Sequence, residues 1–245
     1  MNKLTNKKAV ITGGNSGLGY FTAKELIGQG AQVMITGRRK EAVEKAAAEL
    51  SATAFVADQT KVSDIEMLVK ETARTFGKID ILMINAGATK LTTIEAATEE
   101  VYDEVMNLNL RGAYFTLSRF IPILNDGASV IFISSSSASK CTPQTSVYMS
   151  GKAAINAVVK VAALELAPRG IRVNAVSPGP FATAIMEKSG IADPETQAYI
   201  IANVPLGRLG VPAEVGKMVS FLASDDAAYI TGGEYLIDGG QSLNK

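Results

Sequence analysis

The chain has 245 residues, 47% of them hydrophobic, and its 24 Lys and Arg are balanced by 24 Asp and Glu, so the formal net charge is zero. That length is within range of one α/β domain with a large core, and the charge balance gives no pull toward nucleic acid or acidic membranes. There is no histidine and one cysteine, Cys141, which excludes a Ser-His-Asp triad, a Cys-His pair, a His-ligated metal and an intrachain disulfide and leaves no metal site to expect.

Met1 to Lys8 lead into an apolar run that ends at Thr12 and is followed at once by glycines. The run is too short for a signal peptide or anchor, and no apolar stretch is expected to approach membrane-spanning length, so the expected location is cytoplasmic. Lys8–Thr12 reads as the first strand. It runs into Thr12-Gly13-Gly14-Asn15-Ser16-Gly17-Leu18-Gly19, with a helical pattern from Gly17 to Gly28. A glycine turn brings backbone N–H groups close to a phosphate, and the helix N-terminus adds unpaired donors and a partial positive charge. The spacing differs from GxGxxG. On this motif alone an ordinary tight strand-to-helix turn is the alternative.

The second strand, Gln32–Thr36, ends at Gly37-Arg38-Arg39. A dinucleotide site usually has an acid about 20 residues after the glycine turn, to hold the ribose 2′-hydroxyl. Here Gly37 stands in its place. A guanidinium suits a 2′-phosphate, so Arg38 and Arg39 predict NADP(H) over NAD(H). The alternative is two solvated arginines. Helix Lys40–Leu50, strand Thr53–Val56, helix Ser63–Phe76, strand Ile79–Ile84 and helix Glu99–Ile121 follow. Strands apolar on both alternating sets, separated by helices, predict a Rossmann-type doubly wound parallel sheet of about seven strands with helices on both faces.

Strand Ser129–Ser134 is followed by Ser135, at the carboxyl end where such sheets place ligands. Without histidine, Ser135 lacks a base to make it a nucleophile, and a hydrogen bond to a substrate oxygen fits better. Tyr148 and Lys152 open helix Tyr148–Leu166, four residues apart and therefore on one face. An ammonium beside a phenol favours phenolate; bringing Tyr148 from about 10 toward neutrality takes about 4 kcal/mol of differential interaction. Such a Tyr donates a proton to a carbonyl oxygen, or takes one from an alcohol. Alone, the pair also fits a core Tyr with a surface Lys. After strand Ile171–Ser177, Pro178 to about Gly210 is long and irregular and predicts a partly helical lid around 180–210 over a substrate pocket. Phe181, Ala182, Ile185, Met186, Ile191, Tyr199 and Ile200 make that pocket apolar. Helix Pro212–Leu222 and strand Glu234–Ile237 complete what reads as one domain over 1–245.

From Lys7 to about Ser242 the chain resembles the short-chain dehydrogenases/reductases. Thr12-Gly13-x-x-x-Gly17-x-Gly19 matches the family's cofactor turn, and Ser135 with Tyr148-x-x-x-Lys152 matches its catalytic set. The resemblance implies that Asp58 contacts adenine and that Asn85-Ala86-Gly87 closes the fourth strand at the cofactor. It implies that Pro178-Gly179 follows the sixth strand and that Thr183 meets the nicotinamide amide. Tyr148 would be the acid/base, and Ser135 would orient the carbonyl. Lys152 would lower the Tyr148 pKa and bind the nicotinamide ribose, and Asn109 would link Lys152 to solvent through a water. A small carbonyl or alcohol substrate follows from the resemblance. So does a homotetramer built on the fourth and fifth helices and the C-terminal strand. A 3-oxoacyl thioester reductase and a non-catalytic NADP-binding regulator are the alternatives. Cys141 reads as a pocket-wall or packing residue, because no base is evident near it.

Overall fold

The computed structural model describes residues 2–183 and 193–243. Seven strands form one sheet in the order β3-β2-β1-β4-β5-β6-β7: β1 Lys8–Thr12, β2 Gln32–Gly37, β3 Thr53–Val56, β4 Ile79–Ile84, β5 Leu124–Ile133, β6 Arg172–Pro178 and β7 Glu234–Ile237. All six pairings are parallel. The helices are α1 Gly17–Gly28, α2 Lys40–Leu50, α3 Val62–Phe76, α4 Glu99–Met106, α5 Ala113–Phe120, α6 Ser146–Leu166, α7 Pro194–Ala202 and α8 Pro212–Ala223.

The period of two in a strand sorts apolar side chains between two cores. Ala9, Ile11, Ile81, Met83, Ile131 and Ile133 face the cluster built with α1, α2 and α8. Val10, Leu82, Ile84, Val130 and Phe132 face the cluster built with α3, α5 and α6. Both sets are buried, which is why the strands lack a polar face. The strand order reverses between β1 and β4. Chain leaving the carboxyl ends of those two strands flanks the crevice where such sheets bind ligands.

Four elements differ from the sequence expectation. β5 begins at Leu124 rather than Ser129, because Leu124 pairs with Ile79 across an irregularity in register. The polar Asn125-Asp126-Gly127 stretch, outside the predicted strand, is held by Arg169, which donates to Asp126 Oδ1 at 2.9 Å and to the Leu124 carbonyl at 2.6 Å. The helix predicted unbroken over 99–121 carries a π-helical segment, Asn107–Gly112, between α4 and α5. α6 starts two residues before Tyr148.

The fourth difference concerns membranes. Ser146–Arg169 is long and apolar enough to cross one by length and composition, contrary to expectation. Its Val147, Gly151, Lys152, Ile155, Val159, Ala162, Ala163 and Leu166 are buried in the protein, and Ile155, Val159, Ala162, Ala163 and Leu166 pack in the second core.

In the predicted lid, Phe181 and Gly210 form an isolated bridge, with Ala182 N–H donating to the Gly210 carbonyl at 3.1 Å. The segment is therefore pinned at its two ends. α7 lies within it, capped by Asp193, whose carboxylate accepts from the Thr196 N–H at 2.8 Å. Ile185, Met186 and Ile191 lie outside the described residues. Phe181 belongs to the first core cluster and also lines a cavity with Pro180, Leu206 and Gly210, while Tyr199 is exposed.

Candidate active site

The glycine turn closes on itself. Gly13 and Gly17 have φ of 65° and 53°, the left-handed region glycine adopts without strain. A Cβ on Gly19 would collide with the Gly13 carbonyl and lie 2.6 Å from Asn85 Nδ2. Asn85 locks the turn to the end of β4: its Nδ2 donates to the carbonyls of Thr12 at 2.9 Å and Gly13 at 3.1 Å. The Thr12 hydroxyl accepts from the N–H groups of Asn85 at 3.0 Å and Ala86 at 3.1 Å. Asn85 therefore shapes the cleft by holding backbone. Leu18 packs partly against the core, so its side chain serves the fold. Ser16 precedes α1 without a side-chain cap, and the first turn of α1 carries no acid. The helix N-terminus is left open to an anion. Thr183 stands over Gly17, where a Cβ would be 3.9 Å from its own Cβ. Pro178 ends β6, and Gly179 packs so closely on Asp238 that a Cβ would lie 2.6 Å from the Asp238 Cβ.

At the end of β2, a Cβ on Gly37 would overlap Asn15 Oδ1 and lie 3.1 Å from Val43 Cγ2. Asn15 thus occupies the space beside the position where an acid is expected. Arg38 and Arg39 are exposed. Arg74, Arg111, Arg119, Arg169, Arg172 and Arg208 each hydrogen-bond to protein. Among the described residues, Arg38 and Arg39 have no such partner. A glycine cradle without room for Cβ atoms, an acid-free helix N-terminus and two uncommitted guanidiniums fit a phosphate-bearing dinucleotide. Asp58 is partly committed within its loop: Oδ1 accepts from the Thr60 N–H at 3.0 Å and hydroxyl at 2.8 Å.

The third group lies beyond the carboxyl end of β5. Ser135 is buried and accepts from the Ser137 N–H at 3.1 Å. Tyr148 is half-buried, and Ser135 is near enough to act on its phenol. Lys152, one turn along α6, is 4% exposed and donates from Nζ to the Ile133 carbonyl at 2.7 Å. Nζ lies 5.8 Å from the Tyr148 ring centroid. A Cβ on Gly87 would be 3.5 Å from Lys152 Nζ and 2.8 Å from Asn109 Oδ1. Asn109, buried in the π segment, grips the backbone on both sides of one residue: Oδ1 accepts from the Ala88 N–H at 3.0 Å and Nδ2 donates to the Ala88 carbonyl at 2.7 Å. The strand ends and α6 thus bring Asn109, Ser135, Tyr148, Lys152 and Gly87 together.

Two expectations need correcting. Burial raises the Tyr148 phenol, and the Ser135 hydrogen bond pulls it the other way. The predicted net lowering does not result: burial prevails in the resting phenol, and the Lys152 ammonium is directed at the Ile133 carbonyl. Cys141 is exposed and is not a packing residue.

Burial pushes Lys152 down from 10.5 to about 8. Between those values the unfolded chain binds more protons than the folded one, so this lysine makes stability rise with pH in that window. Wild type should gain about 2 to 3 kcal/mol relative to Lys152→Met between pH 8 and 10. Urea unfolding of both proteins at each pH checks this, and a flat difference would remove the buried-lysine assignment.

Sequence reasoning missed Gln59. It is 7% exposed, and its Nε2 donates to the carbonyls of Ala86 at 3.3 Å and Leu108 at 3.2 Å. Only its place beside Asp58 drew attention to that loop.

The chain is similar to known proteins over nearly its whole length. The family model described as enoyl-(acyl carrier protein) reductase matches residues 13–242. An uncharacterized oxidoreductase of Methylorubrum extorquens is 38% identical over 238 residues, covering 95% of this chain and 96% of that protein. Human dehydrogenase/reductase SDR family member 4 is 34% identical over 245 residues, covering 97% and 88%. The solved Pseudomonas aeruginosa RhlG/NADP active-site complex superposes with a TM-score of 0.94 at 30% identity, covering 99% and 98%. A dinucleotide cradle at the β1–β4 reversal, beside an assembled Ser135–Tyr148–Lys152 group, in a chain so closely related over its length, makes this protein an enzyme of the short-chain dehydrogenase/reductase family, an oxidoreductase that works with a nicotinamide cofactor.

Proposed function

We propose that the enzyme interconverts a carbonyl and an alcohol with NADP(H), Tyr148 handling the proton. The observation that carries this reading is the contact of Tyr148 with Ser135, one helical turn from a buried Lys152 and beside the glycine cradle. The nicotinamide, when bound, supplies or accepts the hydride. Ser135 and the Tyr148 hydroxyl bind the substrate oxygen. A phenol raised by burial is protonated at neutral pH, which suits it to donate its proton to a carbonyl oxygen. The Lys152 ammonium favours the phenolate left behind. Above about 8 Lys152 loses its charge, and that support is lost. Reductive kcat/KM should therefore fall as pH rises through about 8, which a pH–rate profile reads directly; a flat profile to pH 10 would remove Lys152 from the step.

The preference for NADP(H) is supported by the two uncommitted guanidiniums of Arg38 and Arg39, by Gly37 and by the NADP complex of the structural relative. NAD(H) is the alternative cofactor. NADPH consumption against aldehydes, ketones, sugars and 3-oxoacyl thioesters tests the reaction. The thioesters test the alternative of a 3-oxoacyl reductase. Absence of turnover across the panel, with NADPH still bound, would overturn the reading. A cytoplasmic homotetramer belongs to the same proposal. Tyr114 and Val161 are exposed beside a groove between α5 and α6, and Leu236 is exposed on β7, as contact surfaces between subunits require. Light scattering on the purified protein tests it.

A further inference from the structure

We propose that Gln59 is a positioning residue that holds the Asn109 segment against the cofactor cleft, an inference that rests on the catalytic reading of Tyr148 and Lys152 above. Gln59 lies between β3 and α3, far in sequence from both groups it joins. Its one amide nitrogen reaches the Ala86 carbonyl at 3.3 Å and the Leu108 carbonyl at 3.2 Å. Both partners accept, so an oxygen in that place would face two oxygens, and the amide orientation is determined. Its Oε1 is buried with no hydrogen-bond partner. An orphaned buried acceptor is destabilising. An apolar residue of similar volume would serve simple packing better, so the amide is explained by the two carbonyls it binds.

Those carbonyls frame the site. Leu108 immediately precedes Asn109, and Ala86 immediately precedes Gly87. Asn109 grips the Ala88 N–H and carbonyl through the oxygen and nitrogen of its side-chain amide, and Gly87 lies against Asn109 Oδ1 and Lys152 Nζ. The backbone of Gln59 reaches the other end of the same segment, where a Cβ on Gly112 would collide with the Gln59 carbonyl. Gln59 therefore touches both ends of the π-helical turn and ties it to the end of β4. Loosening it displaces Asn109 and, through Gly87, the Lys152 ammonium. The step governed by Tyr148 and Lys152 should suffer while the cradle at Gly13–Gly19 stays intact.

The experiment compares the full-length wild type with Gln59→Leu and Gln59→Glu, using the panel carbonyl that wild type turns over fastest. Gln59→Leu removes both donors at similar volume. Its kcat should fall about tenfold with the KM for NADPH little changed, and the amides of residues 107–112 should exchange hydrogen faster. Gln59→Glu places a carboxylate against two carbonyls; its kcat should be low at pH 8 and recover toward pH 6, where a protonated carboxyl donates one bond again. Taken relative to wild type at each pH, Gln59→Leu should lack that acid recovery. Wild-type kcat and exchange in Gln59→Leu, or a KM for NADPH that rises in step with the loss of kcat, would overturn the proposal. Should Gln59→Leu fail to fold, a pH-independent defect in Gln59→Glu overturns it alone. Turnover absent in wild type, or undiminished in Tyr148→Phe, would defeat the catalytic reading instead, and the exchange of residues 107–112 would still decide the role of Gln59.

Discussion

Replacing Tyr148 with phenylalanine is expected to lower kcat by about 10³-fold, within the 10²–10⁴ range of a positioned general acid, while NADPH binding is retained. The substitution removes one hydroxyl and keeps the ring, which Lys152 approaches to 5.8 Å of its centroid. The lost groups are the proton donor and the partner of Ser135. Burial already holds the phenol above its ordinary value, so at neutral pH the proton is present for reduction. Lys152 is engaged with the Ile133 carbonyl. Steady-state turnover together with NADPH fluorescence titration checks both halves. Turnover at wild-type level in the variant would end the mechanism, and loss of NADPH binding would reassign Tyr148 to the cofactor cleft alone.

The second large effect concerns cofactor choice. Replacing Arg38 and Arg39 together with alanine should weaken NADPH binding about 10- to 100-fold, as expected from losing hydrogen bonds from charged groups worth about 1.5–3 kcal/mol. NADH, which lacks the 2′-phosphate, should be little affected. Because these two guanidiniums have no protein partner among the described residues, their removal breaks no internal contact. An aspartate at Gly37 is the converse change. Its Cβ must displace Asn15 Oδ1, so Gly37→Asp alone should raise NADH affinity less than Gly37→Asp with Asn15→Ala. Dissociation constants for both cofactors across the four proteins of the Asn15/Gly37 cycle measure the coupling. Equal NADH and NADPH affinities in wild type would remove the NADP assignment.

The strands were legible because burial on both faces leaves no polar alternation. Every predicted strand appears, and the register splits Val10 from Ile11 and Leu82 from Met83 as period two requires. The glycine turn was legible for a similar reason: tight approach demands missing side chains, and Gly19 has no room for a Cβ. Local spacing likewise placed Tyr148 and Lys152 on one helix face, and the resemblance supplied Ser135, Asn109 and Asn85 as members of one site.

Other features belong to tertiary structure because their partners are far apart in the chain. Arg169 turns the polar Asn125–Gly127 stretch into the start of a strand. The π-helical turn at Asn107–Gly112 interrupts a helical pattern that is continuous by periodicity, where Gln59 and Gly112 meet across 53 positions. The pKa of Tyr148 was misread for the same reason. Sequence spacing put an ammonium four residues away, whereas burial and the Ile133 carbonyl decide where that ammonium points and which way the phenol shifts. Periodicity and residue type, being local, determined the sheet, the tight glycine turn and the shared helix face of Tyr148 and Lys152 by themselves. Orientation, desolvation and the ties between strand ends depend on groups brought together only by folding, so the tertiary structure alone decided them.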